Sequence, residues 1–146
     1  MEIQIINSAK TKVPKKFITE WMNAYVAHLL KKKLIKKTTA EKDLVLVFLD
    51  KKAAKKLNHE FRGKDYATDV LSFDSVDPSS LGELVMCPEV LIKQAKEHGL
   101  SYQHELGYML IHGVLHLLGY DHETNEKDAE QMFKIQDEAF DKLRSK

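Results

Sequence analysis

Apolar residues change their spacing several times along this chain, and each change predicts an element. Ile3, Ile5 and Ile6 predict a first strand. From Pro14 onward, Phe17, Ile18, Trp21, Met22, Tyr25, Val26, Leu29 and Leu30 recur at three- and four-residue steps, which predicts an amphipathic helix. The run Leu44–Leu49 is short and β-branched and reads as a buried strand. Asp50 is placed to cap a helix from Lys51, with Ala53, Ala54, Leu57 and Phe61 facing inward. A polar loop follows from Arg62 to Asp69. Val70–Phe73 and Gly82–Cys87 then read as two strands around a turn at Asp77–Ser80, paired as a hairpin by turn chemistry. Pro88 stands where a helix should begin and Gly99 just past its end. A further helix covers Tyr102 to Leu118 and stops at Gly119. Thr124 is placed to cap a last helix with Met132, Phe133, Gln136, Phe140 and Leu143 on one side. This order predicts a single α+β domain over residues 1–146. It has a small mixed sheet of about four strands, about five helices, and a metal site at the end of a central helix.

Composition narrows the class. The chain of 146 residues is 43% hydrophobic and 31% charged, enough apolar material for one core. A net charge of +1 excludes a uniformly basic nucleic-acid binder, yet lysines crowd the first half at Lys31–Lys33, Lys36–Lys37, Lys51–Lys52 and Lys55–Lys56. Such clusters read either as solvated helix faces or as a local positive surface. The single cysteine, Cys87, allows no intrachain disulfide. No basic segment with a long apolar run opens the chain, and no apolar run has a membrane-spanning length. A cytoplasmic protein without membrane contact is expected.

The chemistry concentrates in His112-Gly-Val-Leu-His-Leu-Leu-Gly-Tyr-Asp-His122, which holds three of seven histidines. His112 and His116 are one helical turn apart, with Cβ atoms about 5–6 Å apart on one face. Gly119 can turn the chain so that His122 returns toward them. Three nitrogen ligands with one open position describe a catalytic Zn²⁺ site, whereas a fourth protein ligand would make the zinc structural. Cys87 is the soft candidate for that fourth place, with small core filling as the alternative. His28, His59, His98 and His104 carry no spacing signal. Zinc proteases place a glutamate, their general base, directly after the first histidine; here that residue is Gly113. Catalytic help must then come from elsewhere. Asp121 and Glu123 flank His122, either as proton acceptors and orienting groups or as acids favoured at a helix entry. Glu105 lies on the His112 face but about 10 Å away along the axis, too far to touch a metal. Arg62 opens a glycine-containing loop, and its planar fork suits phosphate oxygens; local pairing with Asp65 or Asp69 is the alternative.

Three blocks carry a resemblance to a known family. They are Leu57-Asn58 through Phe61-Arg62 to Thr68-Asp69-Val70-Leu71-Ser72-Phe73; Gly82-Glu83-Leu84-Val85-Met86-Cys87; and His112 through His122-Glu123. The sequence resembles the YbeY family of bacterial rRNA-maturation endoribonucleases. The resemblance implies a zinc-dependent hydrolase that cuts single-stranded RNA. It would act on the 3′ end of small-subunit (16S) rRNA and in ribosome quality control, with rRNA and the small ribosomal subunit as partners. It implies His112, His116 and His122 as metal ligands and Arg62 as a contact to the RNA backbone. The chain departs from the family pattern at Ala67 and Asp74, where prolines are usual, and at Glu83, where an aspartate is usual. These departures bear on loop stiffness and substrate fit rather than on metal binding. A metallopeptidase or amidase, and a ribosome-associated module with structural zinc, are the competing readings.

Overall fold

A computed structural model describes residues 1–145. The elements run β1 (Glu2–Asn7), α1 (Lys15–Lys31), α2 (Lys37–Ala40), β2 (Asp43–Phe48), α3 (Lys51–Arg62), β3 (Val70–Asp74), β4 (Ser80–Met86), α4 (Pro88–His98), α5 (Tyr102–Leu117) and α6 (Glu126–Arg144). The sheet order is β1-β2-β4-β3. β1, β2 and β4 are parallel, and β3 pairs antiparallel with β4, so the expected parallel part and hairpin are both present. The fold is α+β with a four-stranded mixed sheet, as the pattern predicts.

α2 is the helix the pattern omits. It is one turn long and only Ala40 is buried, so no apolar period announces it. Two caps also differ from expectation. Asn125, not Thr124, caps α6, its Oδ1 accepting from the Asp128 amide at 2.8 Å. Asp50 stands at the start of α3 but accepts instead from the Lys10 amide at 3.0 Å, while Glu89 accepts from the Lys51 amide at 3.1 Å. In α3 the buried positions are Ala54 and Asn58; Ala53 and Phe61 are exposed. Pro88 and Gly99 bracket α4 as the sequence predicts.

α5 is the central helix. It packs against β3, β4, α1, α4 and α6, and nine of its sixteen residues are buried. Leu106, Leu110, Ile111, Val114 and Leu115 join Leu44, Leu46, Phe48 and Leu84 of the sheet in one core. Trp21 of α1 donates its indole N–H to the Gly107 carbonyl at 2.9 Å, and Tyr25 its hydroxyl to the Ile111 carbonyl at 3.2 Å. These bonds fix α5 along its length, so side chains at its C-terminal end start from a rigid base. Among the described residues no helix is long and apolar enough to cross a membrane.

Candidate metal centre

α5 ends in a tight turn. The Gly119 amide bonds to the His116 carbonyl and the Tyr120 amide to the Leu115 carbonyl, both at 3.0 Å. Gly119 has φ +100°, a conformation open to glycine and strained for other residues. The chain doubles back and carries His122 beside the two helix histidines. Ring centroids are 4.7 Å apart for His112 and His116, 5.2 Å for His112 and His122, and 5.0 Å for His116 and His122. One nitrogen from each ring lies within 4.8 Å of the others. A tetrahedral zinc with 2.0–2.1 Å bonds separates its nitrogens by about 3.3 Å, a difference that small ring rotations close.

The electrostatics suit a metal. Burial holds the His112 imidazole below its ordinary pKa, and the nearby His122 ring adds to this. Burial, then His112 and His122, depress His116 in the same way. Neutral rings keep lone pairs available for a cation. His122 Nδ1 is buried with no hydrogen-bond partner among the described residues, which fits a metal donor better than a core histidine satisfied by the protein.

His112 Nδ1 lies 2.9 Å from Gln136 Oε1. An amide oxygen can only accept, so Nδ1 carries the proton and Nε2 keeps its lone pair. Tyr108, which lines the cavity with Gln136, donates its hydroxyl to Asp137 Oδ1 at 3.1 Å. Burial, then Asp137, pushes the Tyr108 pKa up to about 12, so the phenol remains a donor. Gln136 is 1% exposed, on α6. The sequence pattern assigns it only to the apolar face of that helix; a buried amide among apolar neighbours was the available signal of a polar task.

The rings open into a cavity of about 940 Å³. Arg62, the last residue of α3, lies on its wall, and Asp65 pairs with Lys55 at 3.9 Å. Among the described residues Arg62 forms no ion pair with Asp65 or Asp69. Asp121 also lines the cavity, with Oδ1 accepting from the Glu123 amide at 2.8 Å. Asp69 lies there too; it accepts from the Val70 amide at 2.8 Å, and its charge favours the protonated form of His112. Phe61 and Tyr66, 63% and 52% exposed, complete one side, and Phe61 meets Phe73 edge-on at 5.2 Å. The helical period places Phe61 in the core; it belongs to the cavity because α3 ends there.

Cys87 is buried at the start of α4, away from the cavity, and burial pushes its thiol up. Among the described residues no fourth histidine, cysteine or carboxylate joins the three rings. Glu105 bonds to His98 at 2.6 Å, outside the metal centre. Position 113 faces the sheet: a Cβ there would come 2.8 Å from Leu84 Cδ2. Gly113 is therefore a close-packing residue, and a carboxylate at that position would meet Leu84.

Fold and site together define a small α+β protein with a three-histidine candidate metal centre in an open cavity. The family model described as Endoribonuclease YbeY matches residues 4–144, and the chain belongs to that family. It is 64% identical over 146 residues to "Endoribonuclease YbeY" of Bdellovibrio bacteriovorus, covering 100% of this chain and 97% of the relative. A namesake from Persephonella marina is 40% identical over 139 residues, covering 91% and 86%. A Thermotoga maritima protein solved in solution superposes with TM-score 0.66 at 29% identity, covering 97% of this chain and 88% of its own.

Proposed function

We propose that the chain is a zinc-dependent endoribonuclease for single-stranded RNA, with residues 1–146 acting as one hydrolase domain. The observation that carries the reading is the convergence of three imidazoles in a cavity whose wall also holds Arg62, which forms no ion pair among the described residues. Membership of an endoribonuclease family supports the same chemistry. His112, His116 and His122 would hold the ion. Bound zinc would supply Lewis acidity toward a phosphate oxygen and lower the pKa of water toward neutrality.

The remaining roles belong to the chain's own side chains. Arg62 holds the phosphodiester backbone through its planar fork and offsets charge that develops at phosphorus. Asp121, on the cavity wall, would accept a proton or orient the ring of His122. Exposed Phe61 and Tyr66 offer faces on which unpaired bases stack, a mode that duplex RNA denies because its bases already stack on one another. By its resemblance to the family, the substrate in the cell is rRNA on the small ribosomal subunit, in the cytoplasm. The tasks are 3′ end maturation of 16S rRNA and ribosome quality control.

Cleavage of single-stranded RNA by zinc-loaded protein tests the reading, alongside His116→Ala and Arg62→Ala. The expected result is loss of metal and cleavage in the first variant. The second should keep its metal but bind RNA more weakly. Equal cleavage by the parent and the His116 variant would end the metal-nuclease reading. Unchanged RNA affinity in the Arg62 variant would remove that side chain from the backbone.

A further inference from the structure

Five lysines fall within seven residues, Lys31, Lys32, Lys33, Lys36 and Lys37, where α1 ends and α2 begins. In a chain of net charge +1 this is a concentrated positive patch. Among the described residues only Lys32 of the five is ion-paired, with Glu138 at 3.4 Å. Lys33 and Lys36 line a second cavity of about 600 Å³, whose other walls include Ile35, Leu118 and Tyr120.

The second cavity adjoins the metal centre. Gly119, Tyr120 and Asp121 line both, so the two cavities lie on either side of one turn. Gly119 is exposed, and nothing lies within 4 Å of where its Cβ would be. A strand can therefore cross the turn close to its backbone. Lys33 has φ +58°, the only described residue other than glycine in the left-handed region. Glycine or asparagine is the less strained choice there. A lysine places a long cationic side chain at the cavity wall instead.

We propose that this second cavity holds the continuation of the RNA strand whose scissile phosphate lies at the three histidines. The inference rests on the ribonuclease reading of that centre. Lys33 and Lys36 contact backbone phosphates, while Ile35, Leu118 and Tyr120 receive a base. Asp121 and Asp128 also line the cavity, but both carboxylates are engaged locally. Asp128 bonds to Thr124 and Asn125, and Asp121 to the Glu123 amide. Their charge directs phosphates to the lysine wall.

The test is a double variant, Lys33→Asn with Lys36→Gln, since asparagine tolerates positive φ and glutamine keeps most of the chain length. Binding is measured by fluorescence anisotropy on chelated protein across a salt series. One RNA is long enough to fill both cavities, and one fits only the metal cavity. Single-stranded RNA loses about 0.7 in the log–log salt slope per phosphate contact, so the double variant should lose about 1.4 on the longer RNA. Binding of the shorter RNA should be unchanged. With metal restored, KM for the longer RNA should rise several-fold at constant kcat. Lys36→Glu alone should act in the same direction, and thermal melting checks that each variant is folded. If the parent cleaves RNA and Arg62→Ala weakens it, but the double variant keeps the parent slope and KM, the second cavity is not on the RNA path. A parent that neither binds nor cleaves RNA would overturn the ribonuclease reading and this inference together.

Discussion

A histidine that binds a metal must present a lone pair, so another group has to hold the proton on its second nitrogen. For His112 that group is Gln136, whose Oε1 lies 2.9 Å from Nδ1 and whose side chain is buried on α6. Gln136→Leu should lower zinc affinity about 10–100-fold, the usual effect of losing such a partner. Gln136→Glu should retain it, because a carboxylate still accepts from Nδ1. Competition against a chromophoric chelator reads both; equal affinity in the parent and the leucine variant would exclude this role. Gly113 makes a different residue-scale prediction. In Gly113→Glu the side chain must enter space held by Leu84, which is fully buried. Overpacking costs about 1–3 kcal/mol, and a carboxylate without a partner adds about 1–3 more. Thermal unfolding should show that loss with no gain of peptidase activity; a stable variant that cleaves peptides would revive the protease reading. The histidine spacing made the clustering of the three rings legible, since i, i+4 and a glycine turn are local geometry. The role of Gln136 was not legible, because it depends on α6 crossing α5 and sequence spacing carries no sign of that.

Elements were legible where burial imposes a period. α1, α4 and α5 follow their apolar stripes and glycine or proline ends, and β3 and β4 follow their turn. Strand order was not readable to the same depth, since β4 lies between β2 and β3 through contacts far apart in sequence. α2 escaped because one turn has no stripe, and Phe61 misled because the helical period continues to the end of α3, where the core does not. The α4–α5 junction carries a pH prediction. His98 at the end of α4 lies 2.6 Å from buried Glu105 of α5. Glu105 raises the His98 pKa through its hydrogen bond and then its charge; Glu97 and Asp69 add smaller contributions, and desolvation opposes them. The folded pKa lies above the unfolded value of about 6.5, so the stabilisation is complete below that value. It is lost as pH rises through the raised folded pKa. His98 is more than half exposed, so solvent screening limits the effect to about 1 kcal/mol or less. The neutral ring can still donate from Nδ1, which keeps a hydrogen bond and reduces the loss further. Chemical denaturation across this range should show the parent losing stability relative to His98→Gln as pH rises. Parallel curves would refute the coupling.

At the scale of the molecule, the question is whether a metal would hold the fold together or only equip it. The core is built without one: Ile18, Tyr25, Leu46, Leu84 and Leu110 are buried in a continuous cluster between sheet and helices. Two of the three histidines stand on α5, already fixed by Trp21 and Tyr25, and only His122 depends on the turn. Zinc should therefore bind a protein that is already folded, unlike a small zinc domain that unfolds without its ion. Binding to the folded state alone adds about 2.7 kcal/mol at a free metal concentration 100 times Kd. For a chain of this size each kcal/mol moves Tm by about 2–4 °C, so the gain is about 5–11 °C. The chelated protein should keep its helical circular dichroism and melt cooperatively at the lower temperature, and added zinc should restore the higher one. His116→Ala should melt near the chelated parent and respond much less to zinc. If chelation instead abolishes the cooperative transition, the ion is structural, and the open coordination position that the nuclease chemistry requires loses its support.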